Sequence, residues 1–127
     1  MKRLKELSLL FVEDETVMQK TIERILSKHL KRFTLAINGE EGIEKYNSVK
    51  PDIIITDLDM PVMNGSVMIS EIRKIDKNIP IIIITAFSDQ AEKISGADFC
   101  LIKPINKNKL FELLDMCVQK LNIVSSK

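Results

Sequence analysis

The sequence predicts an α/β domain over residues 1–127. It would be a doubly wound, five-stranded parallel sheet with five helices on its two faces, the fourth of them short. Three observations predict it. Short continuous apolar runs alternate along the chain with longer segments whose apolar residues recur at helical spacing. The runs lack polar alternation, as expected of strands covered on both faces. Each crossover between such strands must be long and right-handed, which makes the sheet parallel. With 127 residues, 45% hydrophobic and 29% charged, the chain fits one packed domain that folds without disulfide or metal.

Taken in order, "LSLLFV" (Leu7–Val12) is the first strand. Thr16–Leu30 follows as a helix, with Met18, Ile22, Ile25, Leu26 and Leu30 on one stripe and the single histidine, His29, on the surface near its end. Phe33–Ile37 is the second strand. Asn38-Gly39 signals a turn, and Glu40 and Glu41 open a short helix where negative charge suits the dipole. That helix buries Ile43, Tyr46 and the marginal Val49 before Pro51 ends it. Ile53–Thr56 is the third strand, and Ser66–Lys74 is a helix with Met68, Ile72 and Ile75 facing inward. Gly65 reads as a turn position with positive φ. Pro80 opens the fourth strand, Ile81–Ile84. Asp89–Ser95 is a weak helical piece in which only Ala91 and Ile94 face the core, so it should be the least stable element. Phe99–Ile102 is the fifth strand. The last helix, Lys107–Leu121, buries Leu110, Leu113, Leu114, Cys117 and Leu121, and "NIVSSK" reads as a frayed end.

Composition excludes several classes. Net charge is +1, from 19 basic and 18 acidic residues, which gives no electrostatic reason for nucleic-acid or membrane binding. The N-terminal apolar run is too short for a signal peptide or a membrane span. Cys100 and Cys117 lack C-x-x-C spacing and sit among apolar residues, as reduced thiols of a cytoplasmic protein do.

The functional signal lies at the carboxyl ends of the strands, where open parallel sheets bind ligands. The first strand ends in Glu13 and Asp14, the third in Asp57, the fourth in Thr85, and the fifth in Lys103 followed by Pro104. Asn38, ending the second strand, stands outside this set. Parallel strands bring these residues to one edge although Glu13 and Lys103 are 90 positions apart. Two carboxylates ~5 Å apart repel by roughly 3 kcal/mol at an effective dielectric of 20. Three together raise each other's pKa values or recruit a cation. Carboxylates without His or Cys suit Mg²⁺ or Mn²⁺. With a lysine and a hydroxyl they describe a phosphoryl site in which one carboxylate can attack phosphorus. The chain has no P-loop, so that group is not part of a held nucleotide. A lesser reading has Asp14 cap the first helix, since it precedes Glu15 and Thr16, and capping does not exclude metal binding.

"FVEDE", "IITDLDMPVMNG", "IIIITAFS" and "LIKPI", in this order and spacing, resemble the receiver domain of two-component response regulators across essentially the whole chain. The resemblance implies a flavodoxin-like sheet in order 2-1-3-4-5. It implies Asp57 as acceptor of a phosphoryl group from a phosphohistidine, and Mg²⁺ (or Mn²⁺) bound by Asp14, Asp57 and the backbone carbonyl of Asp59, with Glu13 acting through water. Lys103 would pair with a phosphoryl oxygen. Thr85, with Ala86 beside it, would be the switch, and Lys103–Pro104 would be cis. The implied partners are a sensor histidine kinase or phosphotransfer protein and a downstream target or fused effector domain. The domain would be a monomer or a phosphorylation-dependent dimer, and no enzyme beyond its own phosphorylation and dephosphorylation.

Three departures stand out. Cys100 occupies the position, three before the lysine, where the family usually carries an aromatic switch residue; Phe99 beside it faces the other way. Thr85 and Lys103 are 18 apart, about four fewer than in similar receivers, and the shortening falls in the Asp89–Ser95 helix. Glu13 replaces the commoner Asp, and Asp59 adds a side-chain carboxylate that is expected to point to solvent. Two other readings are a receiver-like interaction module that is not phosphorylated, and a phosphatase of haloacid-dehalogenase type, whose "DxD" motif is followed by Thr or Val where this chain has Pro61.

Overall fold

The computed structural model describes residues 2–87, 94 and 96–125. Its strands are β1 (Ser8–Val12), β2 (Arg32–Ala36), β3 (Ile53–Asp57), β4 (Ile81–Thr85) and β5 (Phe99–Ile102). All pair in parallel, in the order β2-β1-β3-β4-β5. Among the described residues there are four α-helices: α1 (Thr16–Leu26), α2 (Gly39–Val49), α3 (Gly65–Ile75) and α4 (Lys107–Ser125). The expected Asp89–Ser95 helix lies outside the described residues, apart from the half-buried Ile94.

Side chains alternate across the strands with period two, which divides the core into two layers. Leu9, Phe11, Ile53, Ile55, Ile82, Ile84 and Leu101 pack under α1 and α4, against Ile22, Leu26, Leu110, Leu114 and Cys117. Leu10, Val12, Ile54, Ile81 and Ile83 pack on the other face against Met68, Ile69 and Ile72 of α3, with Ile43 and Tyr46 of α2 beside them. β3 and β4 are buried at every position, which is why their sequences carry no polar alternation. Phe99 packs in the first layer and Cys100 in the second, on opposite faces of β5.

Three helices begin with an asparagine whose side chain caps the first turn. Asn38 Oδ1 accepts the Glu41 N–H at 2.9 Å, Asn64 Oδ1 the Val67 N–H at 2.9 Å, and Asn106 Oδ1 the Lys109 N–H at 3.0 Å. The cap position of α1 is Glu15 rather than Asp14, and its side chain makes no capping bond. Asp14 is thereby left available at the strand end.

Several expectations are corrected. The first helix ends at Leu26 and tightens into a 3₁₀ turn over Ser27–His29, although Leu30 is still buried. His29 is half-buried, with its ring edge-on to Phe111 at a centroid distance of 5.0 Å. Ile75 is 65% exposed, because it is the last residue of α3 and lines an open hollow with Tyr46 and Pro51. Ile69 takes the inward place instead. The last helix continues through Ser125, past the point where fraying was expected. Gly65 does not have positive φ; that conformation belongs to Gly96, Lys50 and Val62. Gly65 is required by closeness, since a Cβ there would lie 2.2 Å from the carbonyl oxygen of Asp57.

Candidate functional site

β1 and β3 are adjacent, so their ends deliver Glu13, Asp14 and Asp57 to one place. One carboxylate oxygen from each lies within 4.8 Å of the other two. Glu13 is fully buried and Asp57 nearly so, whereas Asp14 is exposed. The backbone of Glu13 is fixed on both sides. Its N–H donates to the Ala36 carbonyl at 2.9 Å, and its carbonyl accepts from Gln19 Nε2 at 2.6 Å. Glu13 Oε2 accepts the Glu15 N–H at 3.3 Å, but Oε1 is buried with no hydrogen-bond partner. Among the described residues it is the only such side-chain atom.

Asp57 is held more completely. Its Oδ1 accepts the Leu58 N–H at 2.7 Å, and its Oδ2 faces Lys103 Nζ at 3.5 Å. Burial first, then the charge of Asp57 and last the neighbouring Asp14 side chain, push the pKa of Glu13 up to about 7, with the Glu15 N–H and Lys103 acting the other way. A buried carboxylate oxygen without a donor, beside two further carboxylates, is an arrangement that a hard divalent cation satisfies. The donor set therefore fits such an ion. Asp59 is exposed.

β4 and β5 supply the other half. Thr85 is buried, and its Oγ1 accepts the Phe87 N–H at 3.2 Å, which ties the following loop to the strand end. The Lys103 N–H donates to the Thr85 carbonyl at 2.8 Å, so the lysine and the threonine share one backbone link. The Lys103–Pro104 peptide is cis. Ala86 is exposed, and Cys100 is half-buried with Ile83 opposite it on β4. Burial raises the pKa of the Cys100 thiol.

Three contributors were not foreseen. Gln19 and the Leu58 N–H act through backbone and side-chain pairings that leave no sequence pattern. Phe87 is 60% exposed immediately beyond Thr85, and its signal was simply a large apolar residue after a strand end.

A match to the response regulator receiver domain covers residues 9–115. The chain belongs to the response regulator receiver family. It is 38% identical over 112 residues to the chemotaxis protein CheY of Thermotoga maritima, covering 84% of this chain and 93% of that protein. It is 36% identical over 106 residues to the probable transcriptional regulator ycf27 of Guillardia theta, covering 80% of this chain but 41% of that protein. Among solved structures it resembles the response regulator TrrA of Thermotoga maritima in complex with Mg²⁺-BeF. The TM-score is 0.80 and the identity 31%, over 87% of this chain and 97% of that one. The chain is thus a receiver domain of two-component signal transduction, a family of signalling phosphoacceptors. Among the described residues no helix is long and apolar enough to cross a membrane.

Proposed function

We propose that Asp57 accepts a phosphoryl group from the phosphohistidine of a sensor kinase or phosphotransfer protein, in a reaction that requires Mg²⁺ or Mn²⁺. The supporting observation is the buried, partnerless Oε1 of Glu13 in a three-carboxylate cluster that faces Lys103. Asp14 and Asp57 would hold the cation directly, the backbone carbonyl of Asp59 would be a further ligand, and Glu13 would act through water. When bound, the ion supplies positive charge to the phosphoryl oxygens.

The receiver's own residues do the rest. Asp57 Oδ1 accepts the Leu58 N–H and keeps a second lone pair for the cation, so Oδ2, toward Lys103, would be the nucleophile. Oδ2 forms the new bond to phosphorus as the phosphorus–nitrogen bond breaks, and the histidine nitrogen leaves with the electron pair. Lys103 then pairs with a phosphoryl oxygen. The Thr85 hydroxyl turns toward the phosphoryl group and gives up the Phe87 N–H, which frees the loop after β4. With Cys100 in place of an aromatic, this Thr85–Phe87 link carries the signal to the output surface. That surface would engage a downstream target or a fused effector domain.

The test is intact-protein mass after incubation with phosphoramidate. With Mg²⁺ the protein gains the mass of one phosphoryl group, and with excess chelator it gains none. No gain with Mg²⁺, or an equal gain in chelator, would contradict the assignment.

A further inference from the structure

The opposite end of the sheet carries a cavity that phosphoryl transfer does not use. It has a volume of about 210 Å³ and lies where β1 and β2 begin. Lys2, Lys31, Arg32 and Lys50 line it. Their backbones are held at three places, the start of β2, the end of α2 and the last turn of α4. Lys2 donates its N–H to Asn122 Oδ1 at 3.0 Å and accepts from Asn122 Nδ2 at 3.1 Å, which fastens it to α4. The Lys31 N–H donates to the Leu7 carbonyl at 2.9 Å, and Arg32 is in register with Ser8. Lys50 ends α2 in a left-handed conformation, φ 49°, with its N–H on the Tyr46 carbonyl at 3.0 Å.

Two carboxylates share the lining, and both are engaged. Asp52 Oδ2 accepts the N–H of Ser8 at 2.9 Å, and Glu6 pairs at 3.5 Å with Arg3, which is not in the lining. Among the described residues none of the four cationic side chains has a carboxylate within ion-pair distance. Lys50 has the carbonyl end of α2 beside it to offset its charge, and Lys2 is fastened to the last turn of α4, whereas Lys31 and Arg32 lie at the start of β2. A chain of net charge +1 thus gathers four cations against two carboxylates around one hollow. Four exposed cationic residues that line one hollow without ion-pair partners favour an anion that satisfies several of them at once, with Arg32 offering the planar fork suited to phosphate oxygens.

We infer that this cavity is a binding site for a small multiply charged phosphate, a diphosphate or the monoester of a compound of a few carbons. The volume sets the upper size, because it is below the roughly 300–1,000 Å³ of sites for drug-sized ligands. The strand length separates it by roughly 15–20 Å from Asp57, so occupancy does not depend on the phosphoryl reading.

The test titrates inorganic pyrophosphate into the protein without divalent cation, followed by calorimetry and by backbone amide shifts. Glycerol 3-phosphate in a parallel titration distinguishes a monoester site from a diphosphate site. Saturable one-to-one binding by either compound is expected, with a Kd below about 1 mM at ordinary ionic strength. The amide shifts should centre on Lys31, Arg32 and Lys50. The double variant Lys31→Gln, Arg32→Gln, at exposed positions, should weaken binding at least ~10-fold without moving the unfolding midpoint. Asp57→Asn should bind as the parent does. Failure of both compounds to saturate, shifts centred on Asp14 and Asp57, or undiminished binding by the double variant would overturn the assignment.

Discussion

At the amino ends of β4 and β5, Asp98 accepts the Ile81 N–H at 2.8 Å and pairs with both Arg73 of α3 and Lys120 of α4. Arg73 also donates to the carbonyls of Gly96, at 2.8 Å, and Ile79, at 2.7 Å. Nearby, Asp76 accepts from Asn78, Ile79 and the Tyr46 hydroxyl. At the carboxyl ends of β1 and β3, Glu13 is more deeply buried, yet one of its oxygens has no donor. The first network spends its hydrogen-bonding capacity inside the fold, whereas the second keeps some for a ligand. A charge cluster that is already satisfied holds elements together, and one that is incomplete costs stability and can do chemistry.

The sharpest way to break this contrast is to truncate an acid at each end. Asp98→Ala leaves Arg73 and Lys120 without their carboxylate and the Ile81 N–H unpaired. Partial exposure moderates the loss, and denaturant unfolding should show about 2–3 kcal/mol of destabilisation. Glu13→Gln should do the reverse. The pKa of Glu13, about 7 in the fold, lies above its ordinary value of 4.5. The folded state therefore holds an extra proton between those pH values, and stability without a cation falls as pH rises from about 4.5 to about 7. Glu13→Gln should remove that slope and gain on the order of 1–2 kcal/mol at pH 8, with little change at pH 4. Mg²⁺ should flatten the same slope in the parent protein.

Asp76 gives the opposite pH dependence. Burial works against its charge, but the Asn78 and Ile79 N–H groups, the Tyr46 hydroxyl and Arg73 outweigh it and lower the pKa. Its contribution is present above the ordinary carboxylate pKa and is lost as pH falls below about 4. Unfolding curves across pH should thus weaken at both extremes, and Glu13→Gln should mend only the upper one. The smallest effect is expected at Val62, a β-branched residue with φ 69° that is 76% exposed in the loop following Asp57. Val62→Gly should stabilise by about 0.5–1 kcal/mol, measured by denaturant midpoint.

The contrast also marks what sequence could and could not reveal. Ile53–Ile55 and Ile81–Ile84 are short isoleucine runs that read as buried strands, and their order brings Glu13, Asp14, Asp57, Thr85 and Lys103 to one edge. The partnership of Arg73, Asp98 and Lys120 was not legible, because each sits on a different element and nothing in spacing links them. Ile75 has the right angle on its helix, but burial depends on where the helix ends, and α3 ends at Ile75 itself. Gly65 announced a constraint without its nature, since closeness to the Asp57 carbonyl and a left-handed turn both demand glycine. Residues 89–93 and 95, where the sequence is expected to be shortened, lie outside the described structure, so the short helix stays an expectation from sequence.

The central claim is that the incomplete cluster is the reactive one and that Asp57 is its acceptor. The most direct measurement is the intact mass of the parent, Asp57→Asn and Asp98→Asn after phosphoramidate and Mg²⁺. The account predicts one phosphoryl group on the parent and on folded Asp98→Asn, and none on Asp57→Asn. A phosphoryl group that survives Asp57→Asn would contradict it.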